Sequence, residues 1–316
     1  GGIFILNSTS LKAEDINLIK AVSRFVLDCR EGSLLWKMKN IEIPETNYEK
    51  LEIRHLDFSF KWYSFGTYKL NYFNGFGGFH SKNSSYVIIL KNFENTPAPW
   101  INVITNGKFG FQVSESGISY TWNKNSRENK LTSWSNDPVR DSESEALLLR
   151  DEQTGLKWGI SPKPFRDNGE YIIEHGFGYS SFRHLANGIA SEMTMFVPLN
   201  ERIKIIKVTL KNLSDIERSL SLTYYARLVL GVAAEKTSQY IFSKYVDSQG
   251  YIYAENTFSQ YFNNEKCYLK IEGGVDTTYT GDRSEFIGNG TPDEPEAMNN
   301  IRFSNNSGAG YDPCLA

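Results

Sequence analysis

Residues 219–230 read SLSLTYYARLVL, and this stretch decides the fold class. Apolar side chains occupy every second position along its whole length, which is the period of a β-strand with one buried face. The opposite face carries Ser219, Ser221, Thr223, Tyr225 and Arg227, so we expect it to lie toward solvent. The residues predicted to be buried are Leu220, Leu222, Tyr224, Ala226, Leu228 and Leu230.

The segment before this strand has a related pattern. Apolar residues between Ile203 and Leu210 predict a second strand, and a slip in phase at Ile205-Ile206 predicts a β-bulge. Asn212–Asp215 has the composition of a turn. We therefore expect the two strands to form one long antiparallel hairpin.

Short strands separated by turns continue through most of the chain. Such a pattern, with no fixed-period repeat, predicts a mainly β protein built as a large antiparallel sandwich. The predicted strands cover residues 68–73, 86–90, 101–104, 109–113, 118–122, 146–150, 157–160, 171–175, 177–184, 189–197, 241–246, 251–254 and 268–271.

The first part of the chain differs in pattern. Ser10 can cap a helix that starts at Leu11 and keeps a helical apolar period to Val26, and Leu34–Met38 continue as a shorter helical piece. We expect residues 1–60 to form a helical leader or linker and residues 61–316 to form the sandwich domain.

Composition excludes several classes of function. The net charge of −3 leaves no basic surface for nucleic acid, and no run of ~20 apolar residues could span a bilayer. The N-terminal residues lack the basic region of a signal peptide. Cys29, Cys267 and Cys314 are odd in number and far apart, which favours reduced thiols in a cytoplasmic protein and no metal site.

The best candidate for a ligand surface is the polar segment after the strand that ends at Trp122. Arg127, Trp134, Asn136 and Asp137 lie close together in a stretch without an apolar face. Aromatic rings cover the C–H faces of sugars, whereas Asp, Asn and Arg bind hydroxyl groups, so these residues and Trp122 are the predicted substrate-binding set. The alternative is a structural loop whose amides cap its own backbone.

Three other groups of residues have both a catalytic and a structural interpretation. The glycine-rich segment 74–78 lacks the spacing and the following helix of a phosphate loop, so tight turns are favoured. Asp141, Glu143 and Glu145 could include an acid/base pair, but a solvated loop is favoured. His175 and His184 could act with a Glu as in a sugar epimerase; histidines bonded to neighbouring strands are favoured.

Several of these segments together resemble one family. The similarity is to the phosphorylase-type region of cyclic β-1,2-glucan synthases and, more distantly, to cellobiose and chitobiose phosphorylases, formerly glycosyltransferase family thirty-six. The segments that carry it are NGFGGF at 74–79, TPAPWINVI at 96–104, YTW at 120–122, NSREN at 125–129, WSNDP at 134–138, EHG at 174–176, FVP at 196–198, TGDR at 280–283 and GAGYDPC at 308–314.

The resemblance implies a super-β-sandwich, similar to that of galactose mutarotase, packed on a downstream (α/α)6 barrel. It implies an inverting phosphorolysis in which a barrel Asp is the general acid and barrel residues bind inorganic phosphate as co-substrate. This chain stops at Ala316, before the last strand and the barrel of such enzymes, so the expectation is that it holds no catalytic residue and no cofactor.

The implied partners are a β-glucan oligosaccharide, β-1,2-linked by analogy, the barrel of the same polypeptide, and a second copy in a homodimer. The implied location is the cytoplasm, within a polypeptide that could be membrane-associated. Two alternatives are a self-standing carbohydrate-binding module and a structural dimerisation module without a ligand.

Overall fold

The computed structural model describes residues 6–22, 30, 32–33, 48–137, 139, 141, 144–259, 262, 264–273 and 276–316. The chain is divided into two compact units, Gly1–Asn47 and Tyr48–Ala316. The predicted division at residue 60 stays a prediction. No helix among the described residues is both long and apolar enough to cross a bilayer.

The first unit contains one described α-helix. Helix α1 runs over Ala13–Val22 with Glu14 and Asp15 in its first turn, where negative charge is favourable. It follows a short 3-10 turn, Ser8–Ser10, which Asn7 caps by accepting from the backbone N–H of Thr9. The predicted start at Leu11 is therefore two residues early. The predicted continuation through Val26 and the helical piece Leu34–Met38 lie outside the described residues.

The regular secondary structure of the second unit is mainly antiparallel strand, as the alternating pattern predicts. Among its described residues this unit has two short α-helices, α2 (Ala234–Thr237) and α3 (Arg283–Ile287). In chain order the described strands are β1 (Leu70–Asn71), β2 (Gly77–His80), β3 (Tyr86–Leu90), β4 (Ile101–Thr105), β5 (Phe109–Ser114), β6 (Ser119–Asn123), β7 (Lys130–Thr132), β8 (Glu145–Asp151), β9 (Lys157–Gly159), β10 (Tyr171–Gly176), β11 (Tyr179–Ala186), β12 (Ile189–Phe196), β13 (Ile205–Asn212), β14 (Leu220–Gly231), β15 (Ile241–Val246), β16 (Tyr251–Asn256), β17 (Lys266–Lys270) and β18 (Cys314–Leu315).

These strands form three sheets. One has seven strands in the order β1-β2-β3-β10-β11-β12-β13, and a second has β4-β5-β6-β7-β14-β8-β9, with β18 paired to β14. A smaller sheet has the order β15-β16-β17. The first two sheets pack face to face, and the buried side chains between them include Ile88, Ile173 and Phe182 from one and Phe111 and Leu149 from the other. This two-layer arrangement confirms the predicted sandwich.

The predicted hairpin between β13 and β14 is wrong. β13 pairs with β12 in the first sheet, whereas β14 pairs with β8 and β7 in the second. The turn after Asn212 therefore carries the chain from one layer to the other. The predicted bulge at Ile205-Ile206 is also wrong, because the register of β12 and β13 is continuous; the irregularity lies in β14, between Leu228 and Gly231.

Both faces of β14 are covered in its second half. Tyr225 was expected to face solvent, but only 2% of it is exposed. Its ring stacks on Phe286 of α3 at 4.5 Å between centroids. Helix α3 and the residues around Met298 form a second apolar layer on the outer side of this sheet. An alternating pattern predicts one buried face, but a covering helix far along the chain can bury the other.

Residues 48–60 run without regular secondary structure along the edge of the sandwich. The backbone N–H of Leu51 donates to Asn299, that of Arg54 to Gln153, and the hydroxyl of Ser59 to Asp215 at 2.7 Å. These bonds join the start of this unit to segments more than 95 residues away in sequence.

Candidate functional site

The predicted polar loop is held between two strands rather than free along its length. β6 and β7 pair at Trp122 and Lys130, so the loop tip comprises residues 124–129. Asn125 stabilises this tip because its Oδ1 accepts from the backbone N–H groups of Arg127 and Glu128, each at 2.9 Å. The structural alternative, in which a loop amide caps the loop's own backbone, therefore holds at Asn125.

A carboxylate from a distant segment anchors the base of the loop. Glu265 accepts from the side-chain amides of Asn123 at 2.7 Å and Asn129 at 3.1 Å, and it pairs with Lys124. Burial by itself would raise the pKa of Glu265, but the Lys124 ammonium and the two amides lower the pKa below its ordinary value. Sequence reasoning missed Glu265, which carries no local signal because it lies 136 residues beyond Asn129.

Three aromatic rings form a continuous row beside the loop. Trp134 stacks on Tyr120 at 5.2 Å between centroids and 24° between planes, and Tyr120 contacts Trp122 at 5.2 Å. Trp134 is 43% exposed, whereas Tyr120 and Trp122 are buried. Trp134 is therefore the ring in this row that can present a flat face to a ligand, and Trp122 supports the row from within the sheet. Because Trp122 is only 9% exposed, its predicted contact with substrate stays a prediction.

The predicted polar residues Asn136 and Asp137 differ in their surroundings. Asn136 is exposed. Asp137 instead stabilises the next turn, because its Oδ1 accepts from the backbone N–H of Val139 at 3.0 Å and its carbonyl from that of Asp141. Pro138, between them, lies outside the described residues.

Arg127 lies at the loop tip with 85% of its side chain exposed, beside Glu128 at 3.5 Å. The backbone N–H of Arg127 donates to Asn125 at the loop tip, whereas the Trp134 ring stacks on Tyr120 of strand β6. The structure therefore places Trp134 and Asn136 on one part of the loop and Arg127 on another. An exposed ring, an amide and a guanidinium can together bind a ligand that carries hydroxyl groups and extends along the loop.

The acidic residues after the loop are not a uniformly solvated segment. Only 2% of the Glu145 side chain is exposed, and it forms an ion pair with Lys204, whose side chain is 7% exposed. Its oxygens also accept from the hydroxyls of Ser119, Thr121 and Thr132 at 2.6–2.7 Å. A carboxylate with this many donors is structural. Asp141 accepts from Ser114 and Ser116, and Glu143 lies outside the described residues.

The other catalytic alternatives have structural explanations here. Gly77 and Gly78 begin strand β2, where an added Cβ would lie 2.4 Å from the carbonyl oxygen of Val87 and 2.7 Å from that of Asn71. Glycine is needed because the neighbouring strands approach closely. His184 is fully buried, stacks on Tyr171 at 3.8 Å, and bonds to the Glu170 carbonyl at 2.9 Å.

His175 is held by two hydrogen-bond partners and is partly buried. Its Nε2 donates to the carbonyl of Trp100 at 3.3 Å, so its Nδ1 accepts from Ser180 at 2.9 Å. Burial lowers the pKa of His175 from 6.5 to about 4, against the opposing effect of the Trp100 carbonyl. The histidine is therefore neutral in the folded protein at neutral pH.

This shift predicts a pH dependence of stability. Above pH 6.5 the imidazole is neutral in both states, and below it the unfolded chain takes up the proton first. The free energy of unfolding should therefore fall by roughly 3 kcal/mol as the pH drops from 6.5 to 4. Urea unfolding across this range measures the effect. His175→Gln should remove most of this slope, whereas His55→Gln, at a histidine whose side chain is 88% exposed, should not. Equal slopes for the wild type and His175→Gln would contradict the assignment.

The fold and the loop together define the class of protein: a large antiparallel β-sandwich that presents an exposed tryptophan on a polar loop. The family described as Glycosyl hydrolase 94, supersandwich domain, matches residues 84–316. The chain belongs to this family.

Individual relatives agree with this membership. The chain is 33% identical over 220 residues to the cyclic beta-(1,2)-glucan synthase NdvB of Rhizobium meliloti (strain 1021), covering 69% of this chain and 8% of that protein. It is 29% identical over 249 residues to the N,N'-diacetylchitobiose phosphorylase of Vibrio furnissii, covering 76% and 31%. The chain thus spans less than a third of the length of either relative.

Proposed function

We propose that this chain is the non-catalytic β-sandwich part of a glycoside phosphorylase or cyclic β-1,2-glucan synthase that acts on β-glucans. Its role is to present the loop of residues 123–137 to carbohydrate and to contribute to dimer assembly. The observation that carries the proposal is Trp134, an exposed ring stacked on Tyr120 beside the exposed amide of Asn136. Membership in the supersandwich family and the sugar substrates named for its relatives support the same ligand class.

The catalytic step belongs, in this proposal, to a barrel elsewhere in the longer protein. The acidic and imidazole groups of the sandwich support this assignment, because Glu145 and His184 are buried, His175 is partly buried, and each is hydrogen-bonded within the fold. No group of three or more acidic, histidine or cysteine residues among the described residues could hold a metal ion. Inorganic phosphate is the proposed co-substrate of the barrel. The free thiols of Cys267 and Cys314 favour the proposed cytoplasmic location.

A titration with β-1,2-gluco-oligosaccharides tests the loop. We expect weak binding by the wild-type chain, because one protein surface alone forms only part of a cleft. Trp134→Ala should reduce the affinity about tenfold, equivalent to about 1.4 kcal/mol. Trp62→Ala is the matched control, since Trp62 is 87% exposed and lies outside the loop. The change in NMR chemical shifts or in tryptophan fluorescence gives the dissociation constant.

The binding results distinguish a sugar-binding loop from a purely structural module. A loss confined to Trp134→Ala supports the loop as the sugar surface. Equal affinity of both variants would contradict it. An absence of binding at millimolar sugar, together with a dimer in sedimentation analysis, would favour the purely structural module. The exposed rings of Tyr72, Phe73 and Phe79, at the β1–β2 edge, favour a contact surface of that kind.

A further inference from the structure

A small polar pocket lies on the outer face of the seven-stranded sheet. Its cavity volume is about 460 Å³, and it is formed by β10, β11 and β12, by the segment before β1 and by the turn between β2 and β3. This volume lies within the range of roughly 300–1,000 Å³ that is usual for sites of small ligands. Among the described residues that line the pocket, Phe65 alone lacks a polar side-chain atom. The lining therefore suits a polar ligand.

Three neighbouring strands form the floor of this pocket. Glu174 of β10, Ser181 of β11 and Thr194 of β12 are paired side by side in the register of the sheet, and all three line the pocket. Side chains alternate along a strand, and Phe182, the next residue after Ser181, lies in the core between the two large sheets. The side chain of Ser181 therefore points outward, into the pocket.

The hydroxyl group of Ser181 has no partner. Ser181 is 2% exposed, and its Oγ makes no hydrogen bond with any residue that the structure describes. A buried hydroxyl group without a partner costs free energy, and most such groups in folded proteins are bonded. A ligand hydroxyl group in the pocket would supply the missing bond.

The carboxylate in the floor is already occupied by donors from the protein. The Oε1 of Glu174 accepts from Asn83 at 3.0 Å and from Ser85 at 2.8 Å. The same oxygen accepts from the hydroxyl of Tyr179 at 2.7 Å, and Oε2 accepts from Arg183 at 3.2 Å. Burial by itself would raise the pKa of Glu174, but these donors lower it to about 2. Glu174 is therefore ionised at neutral pH and shapes the floor.

The positive charges of the pocket are balanced in the same way. Besides its bond to Glu174, Arg183 donates from Nε to Glu192 at 3.2 Å, and its Nη2 lies 3.1 Å from the same carboxylate. Lys82 lies at the rim and is exposed. Two cations thus face two carboxylates, so the pocket offers no excess positive charge to an anion. A neutral ligand is favoured.

One wall of the pocket combines aromatic rings with a hydroxyl group. The Oη of Tyr68 accepts from Arg183 at 3.0 Å, which leaves its own O–H able to donate to a ligand. The Tyr68 ring lies 5.6 Å from that of His80, and Phe65 lies on the same segment as Tyr68. A wall with both apolar rings and a hydroxyl donor fits a molecule whose C–H groups and hydroxyl groups alternate.

We propose that this pocket binds a neutral, hydroxyl-rich ring, namely a single pyranose sugar residue. Ser181 and Thr194 bond its hydroxyl groups from the floor, and Tyr68 donates to it from the wall. The site is separate from the candidate loop of residues 123–137, which joins β6 and β7 of the other large sheet. It is therefore independent of the function proposed above.

Titration with D-glucose, followed by the backbone amide NMR signals of β11 and β12, tests the site. The amides of Ser181 and Thr194 should shift with saturation at millimolar glucose. Ser181→Ala should weaken binding about three- to tenfold, as expected for the loss of one hydrogen bond. The same variant should be no less stable than the wild type, because the removed hydroxyl bonds nothing in the protein. Thr194→Val, which keeps the shape of the side chain, should weaken binding to a similar extent.

Ser191→Ala is the matched control for Ser181→Ala. Ser191 lies on β12, is fully buried, and its Oγ also makes no hydrogen bond with a described residue. It alternates with Glu192 and shares the face of Met193, which lies in the core between the large sheets. Since Ser191 does not line the pocket, its variant should bind glucose as the wild type does.

The charge of the ligand provides a second comparison. D-glucuronate has the same ring with a carboxylate added, and it should bind more weakly than glucose because the cations of the pocket are already paired. Tighter binding of glucuronate or of inorganic phosphate would identify an anion site and overturn the proposal. So would equal affinities of the Ser181 and Ser191 variants for glucose, or an absence of saturable shifts at Ser181 and Thr194 in the wild type.

Discussion

Lys204→Met should lower the free energy of unfolding by about 3–5 kcal/mol, because it leaves the Glu145 carboxylate buried without its counter-charge. The side chains of Lys204 and Glu145 are only 7% and 2% exposed, so hydration compensates little for the lost ammonium. Lys204 also lies 4.5 Å from the centre of the Phe111 ring, and that contact is partly kept by the methionine. Chemical unfolding at pH 7 measures the loss.

The pH dependence of stability tests whether the ion pair between Glu145 and Lys204 is the cause of this loss. Burial alone would raise the pKa of Glu145, but Lys204 and the surrounding hydroxyl groups lower it to about 2. A carboxyl pKa lowered in the folded state stabilises the fold above the unfolded value near 4.5, and this contribution is lost as the pH falls toward 2. In Lys204→Met this acid-dependent loss should be smaller, because without the Lys204 ammonium the folded-state pKa of Glu145 is no longer held so far below the unfolded value.

Two further variants separate charge from packing. Lys207→Met, three residues along and exposed, should change the stability little. The double variant Glu145→Gln, Lys204→Met removes both charges and should recover part of the stability lost in Lys204→Met alone. If Lys204→Met and Lys207→Met are equally stable, the pair is not the buried ion pair described here.

Phe182→Ala should be the second strongly destabilising change, by about 3–5 kcal/mol. Phe182 is fully buried between the two large sheets, where β11 pairs it with Ile173 on one side and Met193 on the other. Its removal leaves a cavity that three paired strands cannot close, because their backbone ladders hold them in place. Urea unfolding followed by circular dichroism gives the difference.

Phe177 provides a matched control on the same hairpin. It lies at the turn between β10 and β11 and is 92% exposed, so Phe177→Ala should alter the free energy of unfolding by less than about 0.5 kcal/mol. Similar losses for the two phenylalanines would contradict the assignment of Phe182 to the core between the sheets.

The local pattern predicted the elements well but not their partners. β3, β5, β8, β10 and β12 lie where alternation or apolar runs predict them, because side-chain period is a property of neighbouring residues. The pairing of β14 is not such a property. The same apolar alternation suits a hairpin with β13 or a place in the other layer, and only the packing of complete sheets distinguishes them.

Burial of polar residues had no signal in the sequence. Glu145 belongs to a stretch with the composition of a solvated loop, yet it is enclosed because Lys204, 59 residues away, reaches it across the sandwich. Glu265 anchors the candidate loop in the same way, through a hydrogen bond from Asn123, which lies 142 residues earlier in the sequence. Such pairs form when the fold brings distant segments together.

The sequence by itself therefore determined the class of fold, the location of most strands, the family and the loop that carries Trp134, since these depend on local period and on motifs. Only the tertiary structure decided which layer receives β14 and which of the aromatic residues stays exposed. Those outcomes depend on contacts between segments tens to hundreds of residues apart, and the energy of such a contact is not encoded in either segment alone.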